Sequence, residues 1–181
     1  TGEEANRLNA SINTSTNPKD SVAIRQKLKQ LGDQLQVYRD SLEKKAPNSI
    51  LTALFKAMKE PVVPPAAKHP GGFYDSGYAY QYYKSHFWDG VEWTDERLVR
   101  TPFFEPKLIR YYKELVAPHP DSLIKEVDKM ILYSRSNKEM YKFLMVHFVQ
   151  KYVNPEYMGQ DAVFVHLFEK YINTNQTDFF T

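Results

Sequence analysis

Asn137-Lys-Glu-Met-Tyr-Lys-Phe-Leu-Met-Val-His-Phe-Val-Gln-Lys-Tyr-Val-Asn-Pro155 is the stretch that decides the fold class. Asn137 carries the short polar side chain of a helix N-cap, which accepts from an amide of the first turn. Asn154-Pro155 closes the segment, because proline lacks an amide donor and pushes the residue before it out of the α region. Between them Tyr141, Phe143, Leu144, Met145, Val146, Phe148 and Val149 leave almost no polar face. A helix apolar nearly all round is a central, buried one.

The same grammar extends in both directions. Pro118-His-Pro120 is a break, and Pro120 or Asp121 then opens a helix bearing Leu123, Ile124, Val127, Met130 and Ile131 on one side. Residues 106–116 read as a helix through Leu108, Ile109, Tyr112 and Leu115. Downstream, a helix from Met158 or Gly159 to Ile172 turns Val163, Phe164, Leu167, Phe168 and Tyr171 inward. Thr94 or Asp95 can cap a short helix that ends at Thr101-Pro102, and Asp89-Gly90 reads as a turn. Strand signals are nearly absent, so the expectation is an all-α fold, a bundle or stack of helix pairs.

Toward the N-terminus, Asn17-Pro18 pairs an N-cap with proline at the first helical position. Ile24, Leu28, Leu31, Leu35, Tyr38 and Leu42 then recur in a heptad-like stripe that ends before Pro47. Lys44-Lys45, the adjacent basic pair there, reads as a solvated helix end. Ala5, Leu8 and Ile12 form a shorter stripe, and the two together suggest an antiparallel helical hairpin. Residues 48–60 carry Ile50, Leu51, Leu54, Phe55 and Met58 on one face. The predicted organisation is an N-terminal helical lead-in over 1–60, a Pro/Gly-rich connection over 61–77 and a helical domain over 78–181. Four of the 11 prolines fall in 61–72, a density that forbids helix and central strand alike.

Composition removes several classes of function. The 24 basic and 22 acidic residues are interspersed and leave a net charge of +2, with no basic stripe to neutralise phosphates. There are no cysteines, which excludes disulfides, thiol nucleophiles and thiolate metal sites from this chain. No apolar run reaches the length of a membrane span. Thr1-Gly2 lacks an initiator methionine, so the chain is read as a trimmed or mature fragment. The seven glycines form no phosphate-binding or nucleophile-elbow motif. His69, His86, His119, His147 and His166 show no zinc-ligand spacing, and His147 reads as a buried, hydrogen-bonded core histidine. No cofactor, metal or catalytic residue is expected.

Aromatic residues are concentrated in one segment. Between Phe73 and Phe104 lie 11 of the 26, both tryptophans included. Tyr80, Tyr83, Phe87, Trp88 and Trp93 could line a groove for a peptide, a glycan or a partner domain. The spacing of Tyr80, Tyr83 and Phe87 is equally that of a core-facing stripe, and that structural reading is favoured for most of the segment. Arg97 and Arg100, three apart, could grip a carboxylate or could serve surface ion pairs. The candidate recognition surface is thus Tyr80, Tyr83, Trp88, Trp93, Arg97 and Arg100.

Five segments carry a resemblance: Tyr82-Tyr-Lys-Ser-His-Phe-Trp88, Thr94-Asp-Glu-Arg-Leu-Val-Arg-Thr-Pro102, His119-Pro-Asp-Ser-Leu-Ile124, Asn137-Lys-Glu-Met-Tyr-Lys-Phe143 and Met158-Gly-Gln-Asp-Ala-Val-Phe-Val-His166. In this order they resemble the helical domain of unknown function that precedes the thioredoxin domain in extracytoplasmic thioredoxin-like proteins of gut bacteria. Those proteins are related to the membrane-tethered TlpA- and ResA-type thiol-disulfide oxidoreductases. The resemblance covers residues 74–172, and residues 1–60 would correspond to a less distinctive helical lead-in.

The resemblance implies an all-α module on a periplasmic or outer-membrane-surface lipoprotein, with a thioredoxin-like domain following Thr181. It supplies no catalytic residue, because the redox chemistry of such proteins belongs to a CxxC that this chain lacks. The expected function is a non-catalytic module that positions or selects a partner or substrate for a thiol-disulfide oxidoreductase. The alternatives are a peptide- or glycan-binding module unrelated to redox, a structural spacer that oligomerises through the 24–42 stripe, and an enzyme using carboxylates or histidine.

Overall fold

A computed structural model describes residues 18–174 and 177 of the chain. Among them are seven α-helices and no strand, so the all-α reading holds: α1 (Pro18–Lys45), α2 (Ile50–Ala57), α3 (Ser76–His86), α4 (Phe104–Glu114), α5 (Pro120–Ser134), α6 (Lys138–Val153) and α7 (Asp161–Leu167). The chain divides into two compact units, residues 1–52 and 53–181. No described helix is long and apolar enough to cross a membrane.

In the first unit, α1 ends with Lys44 and Lys45 in its last turn, where cations complement the exposed carbonyls. The amide of Ala46 continues the ladder to the Leu42 carbonyl, and Thr52 Oγ1 donates to the Ala46 carbonyl at 2.8 Å. Asn17, expected as the N-cap, and the expected first arm of the hairpin with Ala5, Leu8 and Ile12 lie outside the described residues.

In the second unit, α5, α6 and α7 pack on one another, and a 3-10 helix, Glu96–Arg100, lies against α4 and α6. Leu108 and Tyr111 of α4, Met130 and Ile131 of α5, Leu144 and Phe148 of α6, and Val163 and Leu167 of α7 are fully buried. At ~25 cal/mol per Å² such side chains each contribute about 1.5–3 kcal/mol before entropy is subtracted. The caps read from sequence are in place. Asn137 Oδ1 accepts from the Met140 amide at 3.0 Å, while its Nδ2 donates to the Thr94 carbonyl at 2.7 Å. Asp95, not Thr94, caps the 3-10 helix, accepting from the Arg97 amide at 3.1 Å.

Three features depart from the sequence reading, each for a physical reason. First, α6 buries Met140, Leu144, Met145, Phe148 and Tyr152, while Tyr141, Phe143, Val146, His147 and Val149 are half-buried. Its neighbours α5 and α7 cover one side, and the far side is only partly screened. Second, α4 begins at Phe104, so Pro106 sits in the first turn, where a missing amide removes no helical bond. Third, α7 begins at Asp161 because Gly159 has φ +87°, a left-handed conformation that no helix accommodates; Phe168–Ile172 continues as a single π-helical turn. The 61–77 connection holds a 3-10 turn, Ala66–Lys68, and passes through Gly71 and Gly72, both at positive φ.

Candidate functional site

Helix α3 carries two tyrosine faces that behave differently. Asp75 starts the helix, its Oδ1 accepting from the amides of Gly77 at 2.8 Å and Tyr78 at 3.1 Å. From there the inner face bears Ala79, Tyr83 and Phe87, flanked by Tyr80. Tyr80 donates its hydroxyl to the Leu115 carbonyl at 2.7 Å, and Tyr83 donates to the Glu60 carboxylate. Glu60 also accepts from Arg110 Nη2 at 2.7 Å. Partial burial works to raise the Glu60 pKa, but the Tyr83 and Arg110 hydrogen bonds outweigh it and hold the carboxyl below its ordinary range. Burial and the same bond push the Tyr83 phenol up.

The second face, Tyr78, Tyr82 and His86, follows the i, i+4, i+8 repeat that keeps side chains on one side of a helix. With Tyr74 and His69 it forms an unbroken ladder of five rings. Ring centroids lie 5.4 Å apart for Tyr74 and His69, 4.7 Å for His69 and Tyr78, 6.0 Å for Tyr78 and Tyr82, and 4.0 Å for Tyr82 and His86. His69 anchors the ladder. Its Nδ1 accepts from the Asp75 amide at 3.0 Å, so the proton sits on Nε2, which donates to the Pro64 carbonyl at 2.9 Å. At the other end His86 Nδ1 donates to the Tyr82 carbonyl at 2.8 Å. The hydroxyls of Tyr74, Tyr78 and Tyr82 engage no partner among the described residues.

Tyr82 and His86 border a groove of about 570 Å³. One wall is the end of α2 and the extended chain after it, with Lys59, Pro61 and Val62; the other is the turn that holds Asp89 and Glu92. The two walls meet at Gly90, where a Cβ would stand 2.0 Å from the Lys56 carbonyl oxygen. Only glycine permits that approach. No group of three or more His, Asp or Glu that could hold a metal ion occurs among the described residues.

The Tyr82-to-Trp88 run across the end of α3, the Asp95-capped 3-10 helix, the His119–Pro120 start of α5, the Asn137 cap of α6 and the Gly159 entry to α7 follow one another in a single unit. A sequence model for one family spans all of them, matching residues 19–181. The chain belongs to the family of the domain of unknown function DUF5106. No curated protein and no solved structure matches it.

Within this DUF5106 domain the residues singled out from sequence fall in different places. Trp88 is core, 5% exposed, against Phe87, Tyr111 and Phe104. Trp93 is half-buried between Trp88 and Tyr133. Tyr80 and Tyr83 have engaged hydroxyls, as described above. The Arg97 guanidinium closes a fork on its own cap, Nε to Asp95 Oδ1 at 2.8 Å and Nη2 to Oδ2 at 2.7 Å. That bond raises the Arg97 pKa further and lowers that of Asp95. Arg100 is exposed and borders a different groove, of about 360 Å³, with Glu105, Phe143 and His147. The six therefore do not converge on one surface. What the sequence reading missed is the Tyr78, Tyr82, His86 face, although its four-residue spacing was visible.

Proposed function

We propose that this chain is a helical recognition module that makes and breaks no bond, and that it positions or selects a partner for a thioredoxin-like domain. The observation that carries the reading is the ladder from Tyr74 to His86 beside its groove, with three phenol hydroxyls left for another molecule. Tyrosine supplies large, rigid, amphipathic contact area at low entropy cost, which is why recognition surfaces favour it. Several other polar side chains of the second unit bind one another, while the Tyr112 and Tyr152 hydroxyls are buried with no partner among the described residues. Glu60 holds Tyr83 and Arg110, Asp95 holds Arg97, and Asp128 holds His166, Lys170 and Tyr171. The resemblance of residues 74–172 supports the thioredoxin-like context and, with it, a position outside the cytoplasm; cell fractionation of the natural gene product tests the location.

The experiment places a photo-crosslinking amino acid at Tyr82, and separately at Tyr83, in the complete natural gene product in its own cells. Crosslinks from position 82 to a CxxC-bearing thioredoxin-like domain, in the same chain or another, are the expected result. Crosslinks from neither position to such a domain, with the protein folded and exported, would overturn the proposal.

A further inference from the structure

We propose that the groove beside Tyr82 and His86 takes an extended, proline-containing peptide segment that carries one basic residue; this rests on reading the ladder as a recognition surface and names what it recognises. The ring geometry narrows the ligand first. Tyr82 and His86 are stacked at 4.0 Å with an 18° interplanar angle, and His69 lies 4.7 Å from Tyr78. Tyr82 and His86 cover one another's faces, so the end of the strip that borders the groove is a poor platform for a sugar or a base, while the contacts from Tyr74 to Tyr82 are tilted at 35–53°. The strip offers ring edges and phenol O–H groups, which are donors.

A donor row fits a ligand whose carbonyls are regularly exposed. Polyproline-type backbone has no internal hydrogen bonds and leaves every carbonyl available. The molecule already contains one such contact, since His69, a rung of the ladder, donates Nε2–H to the carbonyl of Pro64 at 2.9 Å. Pro64 belongs to the chain's own extended Pro61-Val-Val-Pro-Pro65 run, which forms part of the groove wall at Pro61 and Val62. A second extended strand laid along the groove would present a carbonyl to Tyr82 in the same manner and, continued past the end of the groove along α3, another to Tyr78. From Tyr78 to His86 the helix rises about 12 Å, the length of roughly four residues at ~3.1 Å each.

Charge fixes the remaining feature. On the turn wall Asp89 makes no ion pair among the described residues, and Glu92 accepts only from the Thr94 hydroxyl at 2.6 Å. Glu60, by contrast, is already held by Arg110. A single cation on the ligand would meet Asp89 and Glu92, while Lys56 and Lys59 on the opposite wall disfavour a second.

The test is a titration of the isotope-labelled chain, followed by amide shifts, with an acetylated decapeptide built on Pro-Pro-Val-Pro-Arg. Controls are the same peptide with Glu for Arg, a Gly-Ser peptide of equal length, and cellohexaose. Saturable shifts confined to α3 and the Asp89–Glu92 turn are expected, with the Glu peptide at least about fivefold weaker, roughly one lost ion pair in a groove. Tyr82→Phe, which removes only a hydroxyl, should weaken binding about threefold or more; Tyr157→Phe, at an exposed position away from the groove, should leave it unchanged. Absence of shifts at ~2 mM peptide, or equal shifts with Gly-Ser, overturns the proposal. If a thioredoxin-like domain or the oligosaccharide moves the ladder amides while the proline peptide does not, the recognition surface stands and its assignment to a proline segment falls.

Discussion

Lys107 Nζ donates a hydrogen bond to the carbonyl oxygen of Ala57 at 2.8 Å, joining groups 50 residues apart in sequence. Ala57 is the last residue of α2, so its carbonyl is one of those a helix leaves unpaired, at the negative end of the helix dipole. The amine is 4% exposed and sits 4.5 Å from the Phe87 ring centroid, with Trp88 and Phe103 at 5.8 and 5.6 Å. One side chain thus caps α2, fills an aromatic cage and ties α4 to the groove wall.

Burial lowers the Lys107 pKa from 10.5 to about 8, against the opposing pull of Glu60 and with a smaller push from Arg110. A base whose folded pKa is depressed carries its full penalty below that pKa and loses it above the unfolded one. Lys107 should therefore contribute a gain of roughly 3 kcal/mol between pH 8 and 10.5, set against the loss that begins near pH 10 from Tyr111, Tyr112, Tyr152 and Tyr171, whose phenols are pushed up by burial. Lys107→Met, which keeps the volume, should flatten that rise when urea unfolding of the two proteins is compared across the same pH range. Parallel curves would show that the amine titrates as it does in solvent.

Two glycines should respond oppositely to alanine. At Gly90 the new Cβ would meet the Lys56 backbone oxygen at 2.0 Å, so turn and helix end must part, at a cost of about 2 kcal/mol or more. At Gly32, in the interior of α1, a Cβ meets nothing within 4 Å, and alanine should stabilise by about 0.5–1 kcal/mol. Thermal unfolding of both variants checks the pair; a neutral Gly90→Ala would contradict the close approach.

Asp128 receives three donors: His166 Nε2 at 2.9 Å, Lys170 Nζ at 2.7 Å and the Tyr171 hydroxyl at 2.8 Å. Burial acts to raise its pKa, but bonds from Lys170, His166 and Tyr171 prevail and hold it below the ordinary value. Such a carboxylate stabilises above its unfolded pKa, and the contribution is lost as pH falls through the folded one. Asp128→Asn should cost about 1–3 kcal/mol at neutral pH, with the deficit shrinking in acid. A deficit independent of pH would mean that charge is not what the three donors recognise.

On the outer side of α6, His147 Nδ1 lies 3.4 Å from Glu105 Oε1. Burial lowers the imidazole pKa below 6.5, Glu105 partly offsets it, and Lys151 adds to the lowering. Since the folded pKa of this base is depressed, stability is fully present above pH 6.5 and declines as the pH drops toward the folded value. Glu105→Gln should move the NMR titration midpoint of His147 further down; an upward shift would refute the assigned balance.

The helices were legible before any tertiary contact was known, because their signals are local. Asn137, Pro120 and Asp95 act on amides within one turn of themselves, and the 3.6-residue period of Leu108, Met130 or Leu144 marks a buried stripe whatever it packs against. The sequence also determined what this chain lacks, since a chain without cysteine has no thiol chemistry at any geometry. Which stripe of α3 has its hydroxyls engaged was settled by packing alone. Tyr80, Tyr83 and Phe87, and Tyr78, Tyr82 and His86, are both helical spacings, and nothing local ranks them. The choice was made at a distance, by Glu60, Leu115 and Arg110, which engage Tyr80 and Tyr83 and the Phe87 ring from other segments. Arg97 is the local counter-example, since its partner Asp95 lies two residues away at the cap of the same 3-10 helix. The aromatic segment was legible as a dense cluster, but which of its polar groups stay unengaged is a property of packing, because distant partners take up the others.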